Sequence, residues 1–276
     1  MHLSIIIPTY NRAADLAKCL DRLAPGAQTL SVTSYEVIVS DDSTNDDSML
    51  LIHSKYSWVR WVRGCRKGPA ANRNNGAKNA RGAWLIFTDD DCLPDAGWLE
   101  AYSNAIDSDK NHNVFEGRTY PDRPRPTLDS ISPVNETGGY LWSCNFAIKH
   151  SLFNDMQGFD ERFPYAAMED VELALRLKKE KHNFRFVSAA SICHPWRRVI
   201  GIRAYKQHEL STLLFLRIHP DESRRINARF YLYKTLRLMI FDTLPGLISC
   251  RGRGSFQALL MHLYGFKTAF KLLVRI

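Results

Sequence analysis

The sequence predicts an α/β protein: a mainly parallel sheet flanked by helices, then a helical extension. Three observations point there. Short apolar runs alternate with helical patterns from residue 3 to residue 88, the order that parallel strands with right-handed crossovers require. Two of those runs end in clustered carboxylates, Asp41-Asp42 and Asp89-Asp90-Asp91, and ligands of parallel sheets bind beyond the carboxyl ends of strands. After Pro195 the strand pattern stops, and long basic and apolar segments follow.

The elements follow in order. Residues 3–7 are an apolar strand ended by Pro8. Residues 13–23 carry Leu16, Leu20 and Leu23 at helical spacing, with Asn11 placed to cap them. Residues 35–40 form a second strand, leaving through the turn Asp41-Asp42-Ser43-Thr44; 58–63 is a short strand, and 68–82 holds a helix rich in Ala and Asn. Residues 84–88 are the third strong strand and 98–106 a helix. Four prolines make 118–137 an irregular excursion. Residues 140–148 read as a strand, 168–179 as a helix opening on Glu169-Asp170, and 184–187 and 191–194 as two short strands, the second leading to His194. The expected division is a catalytic-type domain over 1–200 and a basic helical region over 201–276.

With 276 residues, 45% of them apolar, the chain can bury a sizeable core. Its six cysteines show no CxxC spacing and read as reduced thiols of a cytosolic protein. Strand-like sequence begins at Leu3, so no leader is expected. The longest apolar stretches, 238–250 and 254–266, have 13 residues each, short of the roughly 18 that a spanning helix needs. The formal charge of +8 is unevenly placed: 197–276 holds 15 Lys and Arg against 4 Asp and Glu, whereas 1–196 holds 22 against 25. A basic extension beside an acidic domain suits an anionic membrane surface, and no nucleic-acid partner is expected.

Several segments, in order, resemble the family 2 glycosyltransferases of GT-A fold. They are Ile5-Ile6-Ile7-Pro8-Thr9-Tyr10-Asn11-Arg12, Val37-Ile38-Val39-Ser40-Asp41-Asp42, Arg73-Asn74-Asn75-Gly76, Thr88-Asp89-Asp90-Asp91, and Gly158-Phe159-Asp160-Glu161 followed by Glu169-Asp170. The resemblance covers roughly residues 3–196. Three positions depart from the family's pattern: Asn72 where a small residue is usual, Ser43 where glycine is common, and Cys92 after Asp91. None removes an expected carboxylate.

The resemblance implies an inverting, metal-dependent transfer of a sugar from a nucleotide diphosphate, with a UDP-sugar favoured, to a hydroxyl of a glycan or lipid-linked acceptor. Mn²⁺ or Mg²⁺ is the implied cofactor, held first by Asp91, with His194 as a further ligand and Asp89 at the ribose or in the ion's water shell. Hard divalent ions take carboxylate oxygens, and a neutral imidazole tilts preference to Mn²⁺. Asp90 belongs to the same donor-side run, although strand alternation points it to the other face. Asp41 or Asp42 can accept from a base imide N–H, Arg73 can reach base or diphosphate, Thr9 and Tyr10 can wall the base, and Pro8 and Arg12 share that loop. Asp170 matches the catalytic base and Glu169 its neighbour. Trp142, Asn145 and Asp160 are acceptor-side candidates.

Plainer readings stand beside these. Adjacent aspartates also make acidic turns. Glu169-Asp170 also suits an ordinary helix start, and Arg73 a solvated helix face. The basic helical region can equally pack on another protein surface. Other functions weighed are a nucleotidyltransferase, disfavoured because Pro8-Thr9-Tyr10-Asn11-Arg12 has no glycine to cradle phosphate, and a non-catalytic sugar-nucleotide or membrane-binding module. The expected location is cytosolic, peripheral at the inner face of the cell membrane.

Overall fold

The structure, a computed structural model, describes residues 3–274; the terminal Arg275, counted above among the basic residues, lies outside them. In chain order the elements are β1 (Leu3–Thr9), α1 (Ala13–Leu23), β2 (Tyr35–Asp41), α2 (Asp47–Lys55), β3 (Arg60–Arg63), α3 (Pro69–Lys78), β4 (Trp84–Thr88), β5 (Leu93–Pro94), α4 (Trp98–Ser108) and β6 (Val114–Tyr120). Then come β7 (Ser130–Ile131), β8 (Asn145–Lys149), α5 (His150–Asp155), α6 (Glu169–Lys179), β9 (Arg185–Cys193), β10 (Arg197–Arg198), α7 (Arg203–Ile218), α8 (Ala228–Leu238), α9 (Leu244–Ser249) and α10 (Ser255–Val274). They fall into two compact units. The first holds 1–121 and 133–195; the second holds 122–132 and 196–276.

The first unit is built on an eight-stranded sheet of order β3-β2-β1-β4-β8-β6-β9-β5. β3, β2, β1 and β4 run parallel, β8 is antiparallel to both its neighbours, and β9 returns parallel to β6. Side chains alternate across the sheet, as pleating demands. Ile5, Ile7, Val37, Val39 and Ile86 pack beneath α1, α2 and α4. Ile6, Ile38, Leu85, Phe87, Phe146 and Ile148 pack with α3, α5 and α6. A sheet buried on both faces explains why its first strands read as unbroken apolar runs.

Several expectations change in detail. Asn11 does not cap α1: the N-cap position is Arg12, and Asn11 turns the backbone at φ 53° while its side-chain oxygen accepts from the Thr44 amide at 3.0 Å. The excursion expected from 118 starts as strand β6, and α2 and α5 are additional helices. Residues 140–144 are irregular, so the strand there starts only at Asn145. The two short strands of 184–194 are one, β9, whose register against β6 slips between Gly117 and Arg118; an irregularity of this kind absorbs the extra residues.

In the second unit β7 pairs antiparallel with β10, and helices α7, α8 and α10 pack together. Its apolar clusters are small: Leu128 with Cys250 and Ala258, and Tyr231 with Ala269 and Leu272. No helix among the described residues is long and apolar enough to cross a membrane.

Candidate active site

Parallel strands β1, β2 and β4 end side by side, which places their exit residues on one edge. Thr9 lies opposite Asp41 in register, and the Asp89-Asp90-Asp91 run follows Thr88 directly. The buried Asp90 accepts from Thr9 Oγ1 at 2.8 Å and from Arg12 Nη1 at 3.1 Å. Burial pushes its carboxyl up to about 7, assisted by Asp91 and opposed by Arg12. The same Arg12 nitrogen reaches Asp91 Oδ2 at 3.2 Å. Asp90 is therefore a ligand of its own protein at this edge, held by β1 and the loop after it. Tyr10 is exposed and Pro8 half-buried beside it.

His194 follows β9 and is fully buried; its Nε2 lies 3.5 Å from Asp91 Oδ1. Among the described residues, Asp91, Cys92 and His194 offer ligand atoms all within 4.8 Å of one another. A carboxylate oxygen and an imidazole nitrogen suit Mn²⁺ or Mg²⁺ coordination, with Mn²⁺ the better match to imidazole. The Cys92 thiol is less apt: burial drives its pKa far up, and hard ions take oxygen ligands.

Arg73 sits at the centre of the site, 3% exposed in its side chain. Its Nη2 donates to Asp89 Oδ1 at 2.7 Å and its Nη1 to Glu169 Oε1 at 3.1 Å. Burial disfavours the guanidinium charge, but Asp89 and Glu169 outweigh it and raise the Arg73 pKa. Arg73, expected at the base or diphosphate, here joins the β4 exit to the start of α6 as an enclosed strut. Glu169 is pushed up to about 7 by burial and the neighbouring Asp170, against the pull of Arg73. Asp170, which remains partly accessible, accepts from the Ser143 amide at 3.4 Å and from the Val171 amide at 2.8 Å. Burial raises its pKa too, with Arg73 opposing. The residue before this pair, Met168, takes a left-handed conformation at φ 71° as the N-cap of α6, an uncommon backbone for a side chain of this size.

At the end of β2, Asp41 is already committed. Its oxygens accept from Trp61 Nε1 at 3.0 Å and from the Ser43 amide at 2.8 Å. Asp42 Oδ1 takes the Arg66 amide at 2.8 Å; burial raises the Asp42 carboxyl, with the Arg66 and Gly68 amides holding it back. Asp42 thus shapes the loop between β3 and α3, and Asp41 ties the turn after β2 to β3.

The acceptor-side candidates separate. Trp142 stacks on the exposed Tyr140 with ring centroids 5.3 Å apart and planes 6° from parallel, and Ser143, which contacts Asp170, comes next in the chain. Asp160 is clasped by Arg162, whose guanidinium outweighs burial and lowers the carboxyl's pKa. Asn145, at 1% exposure, accepts from Trp98 Nε1 and Tyr102 Oη and donates to the carbonyls of Arg118 and Ala190. Both of its acceptor positions and both of its donor hydrogens are thereby filled inside the sheet.

Sequence reasoning missed Trp61, the Ser143 amide and Glu116. Buried Glu116 accepts from the amides of Gly139 at 2.8 Å and Tyr140 at 2.9 Å, and so fixes the loop that carries the Tyr140–Trp142 stack. The only sequence signal for it was Gly138-Gly139 ahead of Tyr140.

Acids gather at the exits of parallel strands, with a carboxylate pair at the start of α6, and the chain belongs to glycosyl transferase family 2: residues 4–160 match that family's profile. An uncharacterized glycosyltransferase of Haemophilus influenzae is 31% identical over 194 residues, covering 64% of this chain and 62% of the relative. The GalNAc(5)-diNAcBac-PP-undecaprenol beta-1,3-glucosyltransferase of Campylobacter jejuni is 32% identical over 94 residues, covering 32% of this chain and 29% of the relative. The chain thus spans less than two thirds of either relative. In fold it matches the crystal structure of S. aureus TarS 1–349 in complex with UDP, with a TM-score of 0.58 at 21% identity over 88% of this chain and 73% of that one. The GT-A architecture, a mixed sheet flanked by helices with helices following it, is common to both.

Proposed function

We propose that this chain transfers a sugar, with inversion, from a nucleotide diphosphate to a hydroxyl of a glycan acceptor. The observation that carries the reading is the Arg73 strut, which brings Asp89 and Glu169 to one point and so sets the donor-side acids beside Asp170. A UDP-sugar is the favoured donor, since TarS was crystallised with UDP and with UDP-GlcNAc. The name of the Campylobacter relative supports an undecaprenol-linked glycan as acceptor, and the basic second unit supports a peripheral place at the membrane.

Asp91 and His194 would hold the divalent ion, with Asp89 close by. When bound, the ion supplies positive charge to the departing diphosphate. The protein's own residues supply the rest. The acceptor hydroxyl oxygen bonds to the anomeric carbon as the bond from that carbon to the phosphate oxygen breaks. The hydroxyl proton passes to Asp170, and the electron pair leaves on the nucleoside diphosphate. Burial raises Asp170's affinity for that proton, which suits a base. Glu169 anchors the α6 start through Arg73, and the exposed end of Arg12 can follow the diphosphate's charge. The Tyr140–Trp142 stack offers an apolar face to an acceptor ring.

The test screens nucleotide sugars by thermal stabilisation and by transfer, with Mn²⁺ present. Asp91→Ala should lose donor stabilisation and about 10²–10³-fold in rate. Asp170→Asn should keep stabilisation yet lose about 10²–10⁴-fold. Wild-type transfer by Asp170→Asn would end the assignment of the base.

A further inference from the structure

Helix α10 is built inside out. Its outer side carries Phe256, Leu259, Leu263, Phe270 and Leu273, all more than half exposed. Its buried side carries Gln257, Ala258, His262, Thr268, Ala269 and Leu272. The outer residues recur at intervals of three, four or seven positions, each close to one or two helical turns, and therefore form one continuous stripe. The run from α8 through α9 repeats the pattern. Tyr233, Leu236, Ile240, Phe241, Leu244 and Ile248 point outward, while Tyr231, Thr235 and Gly246 are buried. A π-helical turn over Met239–Thr243 adds the offset that keeps this stripe continuous.

The contact between these two arms is close and polar. A Cβ placed on Gly265 would lie 2.2 Å from Thr235 Oγ1, and Thr243 Oγ1 meets His262 Nε2 at 2.8 Å. Small and hydroxylic residues between helices, with large apolar ones outside, is the arrangement of helices solvated by lipid. In water, so much aligned apolar surface marks a docking face.

We propose that the outer faces of α8–α9 and α10 lie in the headgroup and upper acyl region of an anionic lipid bilayer, as a shallow hairpin that does not cross it. Charge selects this occupant. Residues 197–276 hold 15 Lys and Arg against 4 Asp and Glu. Arg251 and Arg253 are exposed in the turn between α9 and α10, and the exposed Lys267 rims the α10 stripe. Such an excess attracts an anionic surface and repels a second copy of the same unit. No helix among the described residues is long and apolar enough to span, which fits a helix lying in the interface plane. The inference shares the membrane location of the proposed function but none of its chemistry.

The test floats the full chain, without donor or acceptor, with vesicles of phosphatidylcholine alone or mixed equally with phosphatidylglycerol. Wild type should float with the mixed vesicles, weakly with phosphatidylcholine, and less as salt rises. The triple variant Phe256→Ser, Leu263→Ser, Phe270→Ser should remain in solution at an unchanged melting temperature and with unchanged donor turnover. Arg253→Glu with Lys267→Glu should weaken binding to the mixed vesicles at least about tenfold. Two results would overturn the proposal: wild type that ignores anionic vesicles, or a wild-type dimer that the triple variant dissolves in the absence of lipid.

Discussion

The two units of this chain bury opposite things. In the first, Phe87 is fully buried between Phe146, Phe153 and Phe159, with ring centroids 4.9–5.3 Å away. Among the polar groups it buries, Arg73, Asp90 and Glu169 lie at the candidate site. In the second, Phe256 and Phe270 face outward at 73% and 65% exposure, while His262, Gln257 and Thr268 are inside. Water explains the first arrangement and not the second. Hydrophobic patterning therefore has to be read against the solvent that each region meets, not only against helical period.

That contrast can be broken by matched substitutions. Phe87→Ala should cost about 3–5 kcal/mol of stability in chemical unfolding, since it opens a hole among three other rings. A cost under about 1 kcal/mol would mean that the aromatic cluster is loosely packed. Gly265→Ala should cost about 1–3 kcal/mol by forcing α8 and α10 apart, and a neutral result would remove the close approach from the account. Phe270→Ser, an equally drastic change on paper, should shift stability by no more than about 0.5 kcal/mol in detergent-free buffer.

A pH profile sharpens the first unit's side of the comparison. Glu169 ordinarily titrates near 4.5 but is pushed up to about 7 by burial. The folded state therefore holds that proton more tightly than the unfolded chain does. Its stabilising contribution is complete below the ordinary value and is lost as pH rises through about 7. The melting temperature of wild type relative to Glu169→Gln should accordingly fall between pH 4.5 and 7. A difference that stays flat over this window would mean that Glu169 is ionised throughout.

The sequence made β1, β2 and β4 legible because strands covered on both faces are uninterrupted apolar runs. It also made the acids at their exits legible, since nothing apolar dilutes Asp89-Asp90-Asp91. It did not disclose β6, where Glu116 and Gly117 break the apolar pattern. That break is tolerated because loop amides satisfy the carboxylate and because a Cβ at Gly117 would strike Ala190 O at 2.4 Å. Arg73 and Asn145 were legible as polar residues beside the edge, but their partners were not. A polar residue beside a binding edge looks the same in sequence whether it greets a ligand or braces the wall behind one, and only its partners tell. The outward turn of α10 was equally hidden, because an amphipathic repeat does not say which of its sides faces the protein.

The backbone passes between the two units more than once. It enters the second unit at 122, returns at 133 and crosses again at 196. Leu128 donates its amide to Arg253 O, and β7 pairs with β10. Shortening the protein at a tidy sequence boundary near residue 200 would leave 122–132 stranded, with its backbone partners amputated. The two halves are stitched rather than strung, so neither is a cassette that can be lifted out by a single cut.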